Sequence, residues 1–308
     1  MKKNLKKNFF KVNFLFLMLV VFLYFIQNLI SLSLTSKYLI CFFLIATIGM
    51  SHGAYDGQKV RIFFYKKIRF SELLFYLTYL GLVLIVFFAW YLNPKISLIT
   101  FLIISSFHFG KEDLEIYTTK ISKFSSFIFF LKGSLTILSS LYFKFNETNE
   151  IFNKLLFTQE FTLISNNLVN ILLPTNLLLQ FIFYLSVLFK KKISYTDISI
   201  IIFEIFLTLI IFNLFNIIVA FTLYFCFMHS LKNILVIASE LNSNIFTGIK
   251  TFILRSLPIT IIVSLALFIS LYVFSNFDIF EDVIQKIIFI GLASVTLPHI
   301  LLHYFLDT

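Results

Sequence analysis

Residues 71–92 read SELLFYLTYLGLVLIVFFAWYL, with a single charge, Glu72, at the start. A helix of about 20 apolar residues crosses the hydrocarbon core of a bilayer, and this run has that length. Working outward, similar runs fall at 13–34, 37–53, 96–109, 124–143, 176–189, 197–215, 217–238, 253–274 and 284–305. The fourth and sixth of the ten in chain order, 96–109 and 176–189, are short. The seventh and eighth are separated only by NLFN at 213–216. The whole chain has 308 residues, of which 59% are hydrophobic and 13% charged. A soluble domain of this size could not hide so much apolar surface. The expected fold is therefore all-α: a polytopic integral membrane protein of about 8–10 transmembrane helices, one helical bundle over residues 1–308. The segment 146–173, polar and then weakly apolar up to Pro174, reads as a loop outside the membrane with an interfacial helix.

The net charge of +10 does not indicate nucleic acid, because the basic residues flank apolar runs. That placement fixes orientation in a membrane. Lys2, Lys3, Lys6, Lys7 and Lys11 precede the first run; Lys59, Arg61, Lys66, Lys67 and Arg69 follow the second. Lys111, Lys120 and Lys123 follow the fourth, and KKK at 190–192 the sixth. The intervening loops, such as NFDIFED at 276–282, are poor in Lys and Arg. The alternation predicts a multi-pass protein of the cell inner membrane with both termini in the cytoplasm. The basic start followed by an apolar run resembles a signal peptide, but the run is long enough to span and has no small-residue cleavage site, so it reads as a retained first helix. Cys41 and Cys226 both sit in apolar runs and offer no disulfide framework.

The chain has five histidines: His52, His108, His229, His299 and His303. The first four lie on runs two, four, eight and ten, all directed inward. Each comes roughly 12–16 residues into its helix, about 18–24 Å from the outer end at 1.5 Å per residue. Four imidazoles thus share one depth. An ionisable group inside a span is costly and faces the bundle interior with a partner. Singly, each of these residues would be read as hydrogen-bonding a helix end or headgroup. As a set at one level they point to a shared cation, since neutral imidazole is a common metal ligand. His303, one turn beyond His299, reads as solvated.

Carboxylates follow two of these histidines. Asp56 stands four residues after His52, and Asp113 five after His108; such groups commonly orient a metal-bound imidazole. Glu112 and Glu115 read as a solvated cytoplasmic loop. Glu204, well inside the seventh run, reads as a supporting or packing polar group, and Lys132 as snorkelling to an interface. Cys226 reads as a small buried hydrophobe. There is no Gly-rich phosphate loop and no CxxC pair.

The stretches GMSHGAYD (49–56), SSFHFGKED (105–113), CFMHSLKN (226–233) and TLPHILLH (296–303) together resemble the four histidine boxes of the Brp/Blh family of β-carotene 15,15′-dioxygenases. HGAxD and HFGxxD are moderately specific; the last two boxes alone would be weak. The resemblance implies an iron enzyme, using Fe(2+) and O₂ in the lipid bilayer to split β-carotene into two retinals. It also implies a functional link to a retinal-binding rhodopsin. It carries the metal-ligand role to His52, His108 and His229; either His299 completes the set or the metal is held by three protein ligands. One departure is Asn233, which stands where the third box of the family has an additional histidine ligand. Three or four imidazoles leave about two or three positions of an octahedral shell for dioxygen. A long polyene would enter from the lipid into a tunnel between helices.

Three rivals fit less well. A membrane di-iron desaturase needs clustered histidines that outnumber the five present. A metal or proton transporter would stagger its ionisable residues through both leaflets rather than gather them at one level. A retinal photoreceptor needs a lysine midway along the last span, where this chain has only Lys286 near the outer end.

Overall fold

The computed structural model describes residues 2–64, 72–118, 125–158 and 160–307. Lys66, Lys67, Arg69, Lys120 and Lys123, used above for orientation, lie outside the described residues. All regular structure among the described residues is helical. The chain opens with α1 (Lys2–Leu29). Next, α2 (Leu34–Leu44) runs through a π-helical turn (Ile45–Gly49) and a 3₁₀ turn (Gly53–Tyr55) into α3 (Asp56–Phe64). Then come α4 (Glu72–Leu92), α5 (Pro94–Thr118), α6 (Ser125–Phe143) and the short α7 (Phe145–Leu156). After α8 (Asn166–Phe189) and α9 (Tyr195–Leu214), α10 (Ile217–Leu223) continues through a second π-helical turn (Tyr224–Ser230) into α11 (Leu231–Leu241). The chain closes with α12 (Ile245–Phe274) and α13 (Phe280–Asp307).

Nine helical segments of the described residues are long and apolar enough to cross a membrane. A tenth, α5, has 25 residues, enough to cross, but carries Lys111, Glu112, Asp113 and Glu115 in its last turns. The protein is thus an all-α polytopic membrane protein. The segment α10–α11 is the hub, with 78% of its window buried, against 6% for α4 and 11% for α12. Those two outer helices show Leu, Phe and Ile side chains to the exterior, as a lipid-facing helix must.

Several boundaries differ from the sequence reading, each for a physical reason. The helix of α5 continues nine residues past 109 because its polar end is covered by α6, not exposed. A Cβ on Gly110 would lie 1.7 Å from the carbonyl oxygen of Phe129, and one on Gly133 1.7 Å from that of Ser106. Only glycine on both sides lets the two backbones approach so closely. The expected loop before Pro174 is largely helix. Ser165 caps α8 by accepting from the Leu168 amide. Pro174 is then carried inside the helix, as spanning helices tolerate when freed groups find other partners. The amphipathic helix expected nearby is α7, and it packs on the bundle: Trp90 donates to the Leu155 carbonyl at 3.0 Å, and Glu147 accepts the Ile217 amide at 2.8 Å.

Polar residues tie the helices together. Asn176 of α8 donates to the Leu131 carbonyl and to Ser134, at 3.1 and 3.0 Å, and Gln180 donates to Asn176 at 2.7 Å. Such bonds between membrane helices average about 0.6 kcal/mol each. Lys132 does not snorkel; it is 2% exposed, inside the bundle near Asp113 and Glu204.

Candidate metal centre

Two departures from regular α-helix shape the site. A π-helical turn holds an extra residue and is often found where side chains must be re-aimed for function. One such turn precedes His52, and the other contains His229. The two turns touch. Ser230 donates its hydroxyl to the Gly49 carbonyl at 3.0 Å, and a Cβ on Gly49 would lie 2.6 Å from the Phe225 ring. Gly49 is therefore required by close approach.

The four histidines expected from the sequence come together. Ring centroids are 5.4 Å apart for His52–His229 and His52–His299, 5.7 Å for His108–His229 and 5.1 Å for His108–His299. They form a closed quadrilateral whose corners come from four separate stretches of chain. His229 is fully buried and the other three nearly so. The His229 ring is packed by Phe109, 4.7 Å away, and stacked with Phe225 at 5.8 Å.

Glu112 corrects the sequence reading: it is not a solvated loop residue. Its Oε2 lies 3.1 Å from His229 Nε2 and 3.7 Å from His108 Nε2, and its Oε1 3.4 Å from His299 Nε2. The signal was present in the sequence, because Glu112 is four residues after His108 and shares its helical face. It was hidden by ending the helix at 109.

The supporting carboxylates also serve different partners from those expected. Asp56 bonds His299 Nδ1 at 2.6 Å rather than orienting His52. Asp113 Oδ1 lies 3.5 Å from His229 Nδ1 rather than beside His108, and its Oδ2 accepts the Tyr224 hydroxyl at 2.9 Å. Pairing crosses between helices, which no local spacing reveals. Glu204 stands further out. It accepts from Lys232 at 3.0 and 3.1 Å and from Asn13 at 3.1 Å, while Lys232 donates to the Asp113 carbonyl at 2.7 Å. Asn233 offers no carbonyl to the centre; its amide nitrogen donates to Glu112 Oε2. His303 is half-buried instead of solvated, 3.0 Å from Lys59 Nζ. Cys226 is fully buried in the packing, as expected.

The donor set suits a cation. One ligand atom each from His52, His108, Glu112 and His299 can be chosen so that all lie within 4.8 Å of one another. Opposite ligands of one ion sit about 4.2 Å apart when each bond is near 2.1 Å. His229 falls outside that tightest group but shares Glu112 with it. Among the described residues, His52 Nδ1 and both ring nitrogens of His229 are buried without a hydrogen bond. Buried polar atoms are seldom left so, and a missing ion is a standard explanation. Nitrogen and carboxylate donors together suit iron.

Comparison with known proteins agrees with the direction of this geometry. A curated protein from an uncultured marine bacterium, 66A03, named beta-carotene 15,15′-dioxygenase, is 28% identical over 262 residues, covering 84% of this chain and 90% of the relative. No solved structure matches the chain. The family model for beta-carotene 15,15′-dioxygenase matches residues 43–307, a stretch that holds all five histidines, Glu112 and both supporting aspartates. The chain belongs to the beta-carotene 15,15′-dioxygenase family.

Proposed function

We propose that this protein is a non-haem iron oxygenase that cleaves the central 15,15′ double bond of β-carotene. One O₂ is consumed per carotenoid; the central C=C breaks, and each of its carbons leaves as the aldehyde of a retinal carrying one oxygen. Retinal is the chromophore class that a retinal-binding rhodopsin consumes. The observation that carries this reading is the closed quadrilateral of imidazoles around the Glu112 carboxylate, inside a chain of this family.

His52, His108, His229 and His299, with Glu112, are the residues assigned to hold the metal. Ferrous iron in such a donor set supplies redox chemistry toward dioxygen. The protein does the rest. Asp56 accepts the Nδ1 proton of His299 and thereby turns Nε2 toward the cluster. Asp113, anchored by Tyr224, lies 3.5 Å from Nδ1 of His229 and places its charge behind that ring. Asn233 fixes Glu112 by donating to it. Phe109 and Phe225 keep water from the His229 ring. The outer helices α4 and α12, which face lipid, would meet an apolar substrate inside the bilayer. The protein is assigned to the cell inner membrane with both termini facing the cytoplasm.

The test is to express the intact chain in β-carotene-accumulating cells and extract retinoids. Retinal is expected from the native sequence and loss of product from His52→Ala. Absence of retinal from well-folded, iron-loaded native protein would overturn the proposal.

A further inference from the structure

A partly open pocket of about 60 Å³ lies against the outer side of the metal centre, between α5, α6, α7, α9, α10 and α13. On α5 its wall is formed by Leu98, Leu102, Ser105 and Phe109, which follow one helical face up to the level of His108. Phe109 is the partition: its ring borders the cavity and also sits 4.7 Å from the His229 ring. Beside it, Phe221 borders the cavity and stacks on Phe225, which in turn stacks on His229.

Size and chemistry select the occupant. A water needs roughly 10–15 Å³ of such space, and an engineered apolar cavity of about 150 Å³ admits benzene. The volume here passes the first limit and falls well short of the second, so a carotenoid end ring is excluded and a diatomic gas is not. Water would need about 2–4 polar partners. The wall has four hydroxyls, and each donates to a carbonyl of its own helix: Ser105 to Leu102, Thr136 to Gly133, Ser140 to Ile137 and Thr148 to Lys144. With their donors committed these oxygens can only accept, and the remaining wall is hydrocarbon, so a water here would find no donor and a small apolar molecule is the better guest.

We infer that this cavity is a holding site for dioxygen, separated from the metal centre by the Phe109 ring. The inference rests on the proposed oxygenase reading, which names the apolar gas the centre would consume. Motion of that one aromatic ring would connect store and centre.

Two measurements on the full-length protein test it. Crystals pressurised with xenon should show the gas within this cavity. The Ser140→Leu variant, which fills the cavity away from the metal, should raise KM for O₂ several-fold while iron content and KM for β-carotene stay at native values. No xenon in the cavity overturns the inference, as does an unchanged KM for O₂ in folded, iron-replete Ser140→Leu. The xenon measurement needs no turnover and remains readable even if that variant fails to fold. A native protein that binds xenon here but makes no retinal sinks the oxygenase reading and leaves the cavity an apolar gas site.

Discussion

Glu112 and Asp56 divide the work at the metal centre, one facing three imidazoles and the other holding a single ring in place. Replacing Asp56 by Asn keeps the shape but removes the charge behind His299. Iron affinity is expected to fall about 10–100-fold, the usual cost of losing a group that orients a ligand. Titration of iron into the metal-free protein checks this, and an unaltered affinity would remove Asp56 from that role. Glu112→Gln is expected to lower bound iron at least as far, measured as metal per protein after dialysis. A solvated loop glutamate would show no change. These residues also mark the limit of sequence reading at this scale. The histidines stood out because they interrupt apolar runs, whereas the partners of Asp56 and Asp113 lie on helices more than a hundred residues away. Spacing along the chain carries no trace of such pairing.

At the scale of elements, the contact between α5 and α6 explains why the site reaches beyond the apolar part of its helix. Hydropathy detects helices that face lipid, and the last turns of α5 face protein instead. Ending the helix where apolarity ends therefore lost Glu112, although the glycines responsible, Gly110 and Gly133, were visible. A methyl on Gly110 has nowhere to go. Gly110→Ala is expected to cost about 1–3 kcal/mol or more, the range for overpacked interiors. It should displace His108 and Glu112 together. Melting of the detergent-solubilised protein, with metal content measured in parallel, checks both effects; a native melting temperature would mean the helices part freely. The π-helical turns were not legible at all. Nothing in IATIG or YFCFMHS marks a wider turn, which is selected by the meeting of Gly49 with Phe225 and Ser230. One residue of phase is worth about 100° of rotation, enough to turn His229 away from the other three rings.

For the whole molecule, class and crossing pattern follow from runs of apolar residues, because lipid demands them of each spanning helix separately. The interior polar network does not follow: Lys132 looks from sequence like a residue near an interface, yet both it and Lys232 are buried. Each buried ion costs several kcal/mol unless paired. Lys232 meets that demand with Glu204 and the Asp113 carbonyl. If α5 crosses along with the nine other segments, the two ends of the chain lie on one side. A reporter that is active only outside the cytoplasm should therefore be silent when fused after residue 308 and active when inserted in the short connection at Asn93. Activity at the C-terminal fusion would reverse the assigned orientation.

The corners of the histidine quadrilateral are spread from position 52 to position 299. The ribosome therefore supplies the final corner only after the other three have been made. A chain that stops short of α13 lacks one corner, so the quadrilateral closes only once α13 has packed against the rest.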